Sequence, residues 1–327
     1  MLPVVVLNGP TASGKSSLAV DLAVRLRDGG HPAEIVNADS MLVYRGMDIG
    51  TAKPTSEQRR GVVHHLVDIL QVTETATVAD FQQRARGALR ECRSRGVVPI
   101  VVGGSALYMR AILDEFSFPP TDPEVRARWA EELDRVGSAA LHAQLAGVSP
   151  SAAAEILPGN GRRIVRALEI LELTGEIRPT LPSWTYAVEG VVSFGVDLPR
   201  EQLDQRIDER VNDMWARGLV EEVTGLVPHG LREGITARRA LGYRQVLAFL
   251  DGEITEDEAR QQTAARTRRF ARKQRGWFRR DDRIEWWAAD QVSAAALAER
   301  LQVHLGADEA SSRSGRSSPA ARPRADG

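Results

Sequence analysis

Short apolar runs alternate with amphipathic segments over the first third of the chain. Residues 2–7 form a valine-rich apolar run, and similar runs cover residues 33–37 and 97–102. Between them, residues 15–27 and 78–95 carry apolar side chains at the spacing of one helix face. Strands buried on both faces have continuous apolar sequences, and strands that alternate with helices form parallel sheets. We therefore predict an α/β core with a parallel, doubly wound sheet.

The alternation stops at the sequence Phe118-Pro119-Pro120. Residues 122–173 show only helical patterns, and a strand pattern returns at 191–196. A segment of one structural type bounded by prolines is typical of an insertion into another domain. After residue 199 the chain is again mostly helical, and its last residues lack any periodicity. The predicted divisions are a core at 1–118 and 185–305, a helical insertion at 119–184 and a disordered tail at 306–327.

Composition and charge exclude several classes of protein. The 327 residues are 43% hydrophobic, which excludes a wholly disordered chain. The formal net charge of −1 excludes binding to nucleic acid through overall positive charge, although a local basic surface is still possible. The single cysteine excludes a disulfide framework. No apolar run approaches the ~18–20 residues of a membrane span, so we expect a cytoplasmic protein with no membrane partner.

The run from Gly9 to Ser16, GPTASGKS, matches the phosphate-binding P-loop pattern GxxxxGK[ST]. It follows a predicted strand and precedes a predicted helix, which is the context that this loop requires. Glycines let backbone N–H groups surround a phosphate, and the helix N-terminus adds partial positive charge. Lys15 would reach the terminal phosphate, and Ser16 could ligate Mg²⁺. The pattern leaves the ligand open, because ATP or any other diphosphate compound would fit it.

One acidic residue is missing from its usual place, and another stands elsewhere. Kinases and ATPases with a P-loop commonly place a carboxylate at the end of an apolar strand. Residues 97–102 end instead in Gly103-Gly104-Ser105. Asp39 follows the run 33–37, at the edge where open α/β sheets bind ligands. Asp39 could hold a metal-bound water, act as a general base, or cap the turn that follows it.

Basic and aromatic residues are concentrated at residues 263–280. This stretch contains eight Arg and Lys residues and no Asp or Glu, together with Phe270, Trp277 and Phe278. Such a local excess of positive charge is consistent with contact to a phosphate backbone, and equally with a solvated helix. A smaller cluster, open to the same two interpretations, consists of Arg162, Arg163 and Arg166.

Three other polar positions are predicted to be structural. His64 and His65 are adjacent on a strand and point in opposite directions, and no Cys or carboxylate lies at ligand spacing from them. We therefore predict no transition-metal site. Lys53 lies in a Gly- and Pro-rich loop and is expected to be exposed, whereas Cys92 is expected to be a buried thiol.

These residues together resemble one family, the tRNA dimethylallyltransferases, also called tRNA isopentenyltransferases. The P-loop alone is unspecific, but residues 44–54, YRGMDIGTAKP, and the sequence Gly242-Tyr-Arg-Gln245 are highly specific. Ser16 and Ser105 stand where many members have threonine, and the lack of a zinc-finger motif resembles the bacterial type. Further matching segments, in the family's order across about residues 4–290, are Asp39-Ser40, 102–105, Leu107-Tyr108, 122–128 and 162–166.

The resemblance implies both a fold and a reaction. The fold would be a P-loop NTPase-like parallel sheet core with a helical insertion and a helical C-terminal region. In the reaction, dimethylallyl diphosphate would donate its five-carbon group to the exocyclic N6 amine of the adenosine on the 3′ side of the tRNA anticodon, with loss of diphosphate. A diphosphate leaving group in the P-loop, rather than ATP, would remove the need for a kinase-type carboxylate. The enzyme would act as a monomer with Mg²⁺.

The resemblance also implies residue roles. Asp39 would orient or deprotonate the amine, while Lys15 and Ser16 would stabilise the leaving group, Ser16 as the Mg²⁺ ligand. The insertion would grip the anticodon stem-loop. The implied diphosphate-binding residues are Gly9, Pro10, Thr11, Ala12, Ser13, Gly14, Lys15, Ser16 and Arg244. The implied tRNA-binding residues are Asp39, Ser40, Met41, Leu42, Ser105, Arg126, Arg162, Arg163, Ile164, Val165 and Arg166.

Three alternative functions would use some of the same residues. A small-molecule kinase would share the P-loop and Asp39 but would phosphorylate a metabolite with ATP. An adenylate isopentenyltransferase would use free AMP and would need neither the helical insertion nor the basic stretch at 263–280. A P-loop protein that only binds RNA would not depend on Asp39. Of these, modification of tRNA is our prediction.

Overall fold

The computed structural model describes residues 1–116, 118–177 and 184–314, with only the backbone described for 307–314. The chain forms two compact units, of which the second comprises Glu115–Thr185 and the first comprises the rest. The sequence placed these divisions at 118/119 and 184/185. The last helix extends to Ser314, although disorder was predicted from residue 306. The rest of the predicted tail lies outside the described residues, as do the prolines at 179 and 182.

The first unit is built on a sheet of parallel strands in the order β3-β2-β4-β1-β5-β6. Strands β1 and β4 are buried along their whole length, which explains their continuous apolar sequences. This parallel sheet, with helices on both faces, confirms the predicted α/β architecture. The strands are β1 (Val4–Asn8), β2 (Ala33–Asn37), β3 (His64–His65), β4 (Val98–Gly103), β5 (Val191–Asp197) and β6 (Glu285–Ala288).

Helices make up most of the remaining structure. Those of the first unit that precede the insertion are α1 (Lys15–Asp28), α2 (Ser56–Arg59), α3 (Val78–Ser94) and α4 (Ala106–Leu113). The second unit contains α5 (Pro123–Val136), α6 (Ser138–Val148), α7 (Pro150–Glu155) and α8 (Gly161–Thr174). The C-terminal helices are α9 (Arg200–Ala216), α10 (Leu219–Leu226), α11 (Tyr243–Leu250), α12 (Glu256–Phe278) and α13 (Ala294–Ser314).

Two predicted elements are wrong in extent because of backbone conformation. A single helix was predicted over 236–250, but Gly242 has a φ of +88°, and helix α11 begins only after it. A strand was predicted over 65–70, but only His65 of that range belongs to β3. Leu66 and Asp68 have φ angles of +60° and +57°, which are incompatible with a β-strand.

Alternate side chains of the strands enter separate cores on the two faces of the sheet. Val4 and Val6 pack with helices α3, α4, α10 and α11. Val5 and Leu7 pack on the other face with α1 and α13. The second unit has its own core, which includes Leu141, Leu145 and Ile164. Among the described residues, we find no helix with the length and apolar character needed to cross a bilayer.

Candidate active site at the carboxyl edge of the sheet

The P-loop connects β1 directly to α1. Gly9 allows the chain to turn tightly, since a Cβ atom there would lie 3.0 Å from the carbonyl oxygen of Val196. Gly14, with a φ of +88°, then leads into the first turn of α1, which contains no acidic residue. The buried hydroxyl of Ser13 has no hydrogen-bond partner within the described part of the chain. A loop of this shape, with a hydroxyl left unpaired, fits a phosphate group.

Lys15 lies at the centre of this loop. Its Nζ donates a hydrogen bond to the carbonyl oxygen of Pro10 at 3.1 Å. Burial lowers the pKa of Lys15 to about 8, an effect that the Asp39 carboxylate opposes and the Arg210 guanidinium reinforces. A lysine with this environment gains strongly from an anionic ligand, because the ligand charge stabilises its protonated form.

A cationic cavity of about 480 Å³ opens beside the P-loop. Its only acidic lining residue is Asp21, which pairs with Arg60 at 2.5 Å. The excess of positive charge suits a ligand that carries two phosphates. The basic residues that line it are Lys15, Arg60, Arg206 and Arg210, and the Ser16 hydroxyl is also in its wall.

Arg210 is the guanidinium that the structure brings to the P-loop. Its Nη1 donates to Thr11 Oγ1 and its Nη2 donates to the carbonyl oxygen of Thr51, each at 3.3 Å. Burial lowers its pKa, and the nearby Asp39 carboxylate counteracts that effect. The sequence assigned this role to Arg244, which is exposed and lines neither cavity described here. The assignment of Arg244 is therefore not supported by its position.

Asp39 follows β2 and is held in a turn by neighbouring backbone groups. Its own N–H donates to Asn37 Oδ1 at 2.8 Å, and its Oδ1 accepts the N–H of Met41 at 2.8 Å. Among the described residues, its Oδ2 atom has no hydrogen-bond partner. Asp39 thus caps the turn with one oxygen and keeps the other available for a ligand. The two interpretations left open by the sequence are compatible.

A second cavity, of about 380 Å³, lies at Asp39. One part of its wall is apolar, with Ile207, Val211 and Met214 from helix α9. Arg210 lines both cavities, so the two are adjacent. Predicted tRNA-contact residues that line this cavity are Asp39, Ser40, Met41 and Ser105, whereas Leu42 does not.

Helix α12 divides its cations between two faces. The face toward α9 and the end of β5 carries Arg268, Arg272, Arg275 and Arg279, which pair with Asp208, Asp204 and Asp197. Residues three or four apart share a helix face, and such spacing defines an exposed α12 stripe of Arg266, Arg269, Phe270, Lys273 and Trp277. The three cations of the stripe have no acidic partner among the described side chains. Its Phe270 also lines the cavity at Asp39.

Several predicted tRNA contacts in the insertion are engaged within that unit. Glu169 is 0% exposed, and it accepts hydrogen bonds from Arg126 and Arg166. Burial alone would raise its pKa, but hydrogen bonds from Thr121 and the two arginines lower the pKa to about 2. Ile164 and Val165 point into the core of the unit, so their predicted contact with tRNA is contradicted by their burial. Arg162 and Arg163 are exposed.

Lys53 has a structural role that the sequence did not reveal. Its side chain was expected in solvent, but the residue is only 6% exposed. Its Nζ donates to the carbonyl oxygen of Tyr44 at 2.8 Å and forms ion pairs with Asp48 and Asp68. Lys53 therefore fixes the loop that precedes α2.

The expectation that no Cys or carboxylate lies near the histidine pair is wrong. Glu34 and Cys92 both approach His65, and their potential ligand atoms lie within 4.8 Å of one another. The Arg95 guanidinium, however, binds both oxygens of Glu34, at 2.8 and 2.6 Å. Hydrogen bonds from Arg95 lower the pKa of Glu34 to about 2, and burial raises the pKa of Cys92 to about 12. The guanidinium thus already supplies the cation of this cluster, which joins β2, β3 and α3.

Comparisons with known proteins agree with this site. Residues 42–281 match the sequence model of the family described as IPP transferase. The chain is 60% identical over 302 residues to the tRNA dimethylallyltransferase of Cutibacterium acnes, covering 90% of this chain and 95% of the relative. It is also 60% identical over 294 residues to the tRNA dimethylallyltransferase of Kineococcus radiotolerans, covering 89% and 92% of the two chains.

A solved structure shows the same relationship in three dimensions. The tRNA isopentenylpyrophosphate transferase of Bacillus halodurans is 35% identical and superposes with a TM-score of 0.68. The superposition covers 96% of this chain and 100% of the other. The likeness therefore includes both units and is not limited to the P-loop.

Proposed function

The chain belongs to the IPP transferase family, and we propose that it transfers the dimethylallyl group of dimethylallyl diphosphate to the N6 amine of the adenosine 3′ to the tRNA anticodon. The supporting observation is the adjacency of the cationic cavity at Lys15 to the part-apolar cavity at Asp39. The first suits a diphosphate, and the second offers a carboxylate beside a wall suited to a hydrocarbon tail. The reaction needs these two environments next to each other.

The donor would be held at both ends. Lys15, Arg206 and Arg210 line the cavity where its diphosphate would bind. The prenyl group would then extend along the apolar wall that Ile207 and Val211 form in the adjacent cavity. As the allylic carbon–oxygen bond breaks, its electron pair passes to the diphosphate, and the cations stabilise the added charge.

The acceptor would be activated by Asp39. The N6 amine attacks the allylic carbon with its lone pair, and the new carbon–nitrogen bond leaves the nitrogen with an excess proton. Asp39 Oδ2, which has no hydrogen-bond partner among the described residues, would accept that proton. The target base must leave its stack to reach the cavity, as for other enzymes that modify bases.

We propose that Mg²⁺ is the metal of this reaction. The Ser16 hydroxyl lines the cationic cavity, and a hydroxyl together with substrate phosphate oxygens is a ligand set that Mg²⁺ accepts. When bound, Mg²⁺ would neutralise negative charge on the diphosphate. The loop amides and Lys15 would orient the same group.

The α12 stripe is the surface that we assign to the anticodon stem-loop. Its cations would contact phosphates, and its exposed aromatic rings would stack on unpaired bases. The stripe continues to the cavity at Asp39 through Phe270, so RNA on the stripe would lead toward the catalytic carboxylate. A free nucleotide would not need a surface of this length, which favours tRNA over AMP.

Replacing Arg266, Arg269 and Lys273 together with glutamine is expected to weaken tRNA binding about tenfold or more at low salt. Each neutralised contact releases fewer counterions, so the slope of log K against log salt concentration should become shallower by about 2. Filter binding across a salt series with unmodified tRNA measures both quantities.

The matched control removes the same charge from the other face of α12. In the Arg268→Gln, Arg272→Gln, Arg275→Gln protein, the lost groups are those already paired with aspartates of α9 and β5. Its salt slope should stay close to that of the unaltered protein. If both triple variants flatten the slope equally, only the net charge matters and the stripe is not the tRNA surface.

The reaction itself is tested by nucleoside mass spectrometry. Unmodified tRNA is incubated with the protein, Mg²⁺ and dimethylallyl diphosphate, and the digested nucleosides should contain an adenosine heavier by one dimethylallyl group. Controls without the donor, and with AMP in place of tRNA, should yield no such product with tRNA or AMP respectively. Prenylated AMP would favour the adenylate enzyme, and phosphorylation of a metabolite by ATP would favour the kinase.

A further inference from the structure

The carboxylate of Glu222 binds three successive backbone N–H groups of one loop. Its Oε2 accepts the N–H of Asp48 at 3.0 Å and that of Ile49 at 2.6 Å, and its Oε1 accepts the N–H of Gly50 at 3.2 Å. The hydroxyl of Tyr243 donates a further hydrogen bond to Oε1. The carboxylate of helix α10 therefore holds the main chain of residues 48–50 directly.

Tyr243 is fixed in the donor role. It is completely buried at the start of helix α11, and burial together with the adjacent Glu222 raises its pKa. The phenol thus keeps its proton, and Glu222 remains the acceptor. The ring also touches the loop, because a Cβ atom on Gly50 would lie 2.5 Å from it. Only glycine allows the loop to approach this closely.

The loop transmits this fixation to the donor site. Gly50 and Thr51 line the cavity at Asp39. The carbonyl oxygen of Thr51 accepts a hydrogen bond from Arg210 Nη2, and Arg210 Nη1 reaches the P-loop at Thr11. A displacement of residues 48–51 would therefore release one of the two hydrogen bonds that orient the Arg210 guanidinium.

The other end of the loop is held in an unusual conformation. Ala52 has a φ of +50°, which L-residues seldom adopt. The next residue, Lys53, carries the buried ion pairs with Asp48 and Asp68. Strained backbone persists only where its surroundings over-determine it, and such segments cluster at ligand sites. Glu222 and Lys53 hold the loop from its two ends.

We propose that Glu222 is a positioning residue for the prenyl donor, acting through residues 48–51 on Arg210. This inference rests on the proposed function, because it assumes that Arg210 binds the diphosphate of the donor. A glutamine at position 222 has only one acceptor atom, and its amide group would place a donor against N–H groups that are donors themselves. The loop would then lose the contacts that fix Thr51.

The Glu222→Gln enzyme is expected to show a KM for dimethylallyl diphosphate raised about tenfold, with a smaller fall in kcat and an unchanged Kd for tRNA. The matched control is Glu221→Gln, which removes the same charge from the neighbouring exposed residue and should leave the kinetic constants unchanged. A tRNA Kd that rises in parallel with KM would show a general loss of structure and would overturn the proposal.

A double-mutant cycle isolates the route through Arg210. If Glu222 acts through that guanidinium, Glu222→Gln should raise KM less than about twofold when added to Arg210→Met. Multiplicative effects of the two substitutions would contradict the route. If the Glu222→Gln protein does not fold, Tyr243→Phe replaces it in both measurements, and an unchanged KM in that variant overturns the proposal.

These outcomes are separate from those of the proposed function. An unaltered protein that transfers no dimethylallyl group to tRNA refutes the function itself. An active unaltered protein whose donor KM is insensitive to substitution at Glu222 refutes only the positioning role.

Discussion

The Asp39→Asn enzyme is expected to transfer the dimethylallyl group about 10²- to 10⁴-fold more slowly than the unaltered enzyme. An asparagine keeps an oxygen that can accept the Met41 N–H, so the turn after β2 is retained. What it lacks is a basic oxygen for the proton of the amine. The KM for the donor and the Kd for tRNA should therefore change little. Single-turnover kinetics with saturating tRNA and donor measure the chemical step directly.

The Asp39→Ala enzyme distinguishes catalysis from turn capping. It loses both the basic oxygen and the hydrogen bond to Met41, so it should match the asparagine variant in rate but have a lower melting temperature. An asparagine variant within about threefold of the normal rate would show that Asp39 serves the turn alone.

Replacing Lys15 with methionine is expected to lower kcat/KM for the donor about 10²- to 10³-fold. Lys15 is held at the centre of the P-loop by the carbonyl oxygen of Pro10, and no other side chain can take its place there. Methionine keeps the length of the side chain without the charge. Steady-state kinetics over a range of donor concentrations provide the measurement.

The pH dependence of Lys15 gives the same prediction a second test. In the free enzyme its pKa is about 8, so the protonated form that attracts diphosphate predominates at pH 7 and is depleted as pH rises above 8. The KM for the donor should accordingly rise about tenfold for each pH unit above that value. The Lys15→Met enzyme should show no such rise, and a parallel rise in both would assign the titration to another group.

Local signals in the sequence determined which parts of the structure were predicted correctly. The apolar run of β2, the P-loop and the helix boundaries at Pro123–Val136 each depend on neighbouring residues only. The strand predicted over 65–70 failed because the left-handed conformations of Leu66 and Asp68 leave no trace in hydrophobic patterning. Asp39 was found because parallel strands place their carboxyl ends on one edge.

Contacts between distant segments were beyond the sequence. Arg210 is 199 positions from its P-loop partner Thr11, and nothing in a chain rich in arginine distinguishes it from Arg244. In the same way, Glu169 lies 43 positions from Arg126, so that arginine looked free to bind tRNA. The apolar side chains of Ile164 and Val165 could have indicated burial, since they fall on the helix face shared with Leu168.

The basic stretch shows why charge counts alone mislead. Its positive residues were treated as one group in sequence, and the folded chain separates them into a paired face and the α12 stripe. The aspartates that neutralise one face belong to α9 and β5, far away in sequence. A tertiary structure is needed to tell a cation that stabilises the protein from one that is available to a ligand.

The pairing of β1 with β5 sets an order on how the first unit is completed during synthesis. Asn8 at the end of β1 donates a hydrogen bond to Ser193 of β5, 185 positions later, so the ribosome must make the whole insertion before β1 acquires that neighbour. The insertion has a core of its own and can become compact while the first unit is still incomplete. Until then the apolar edge of β1 is exposed, which makes the nascent chain a client for chaperones at that stage.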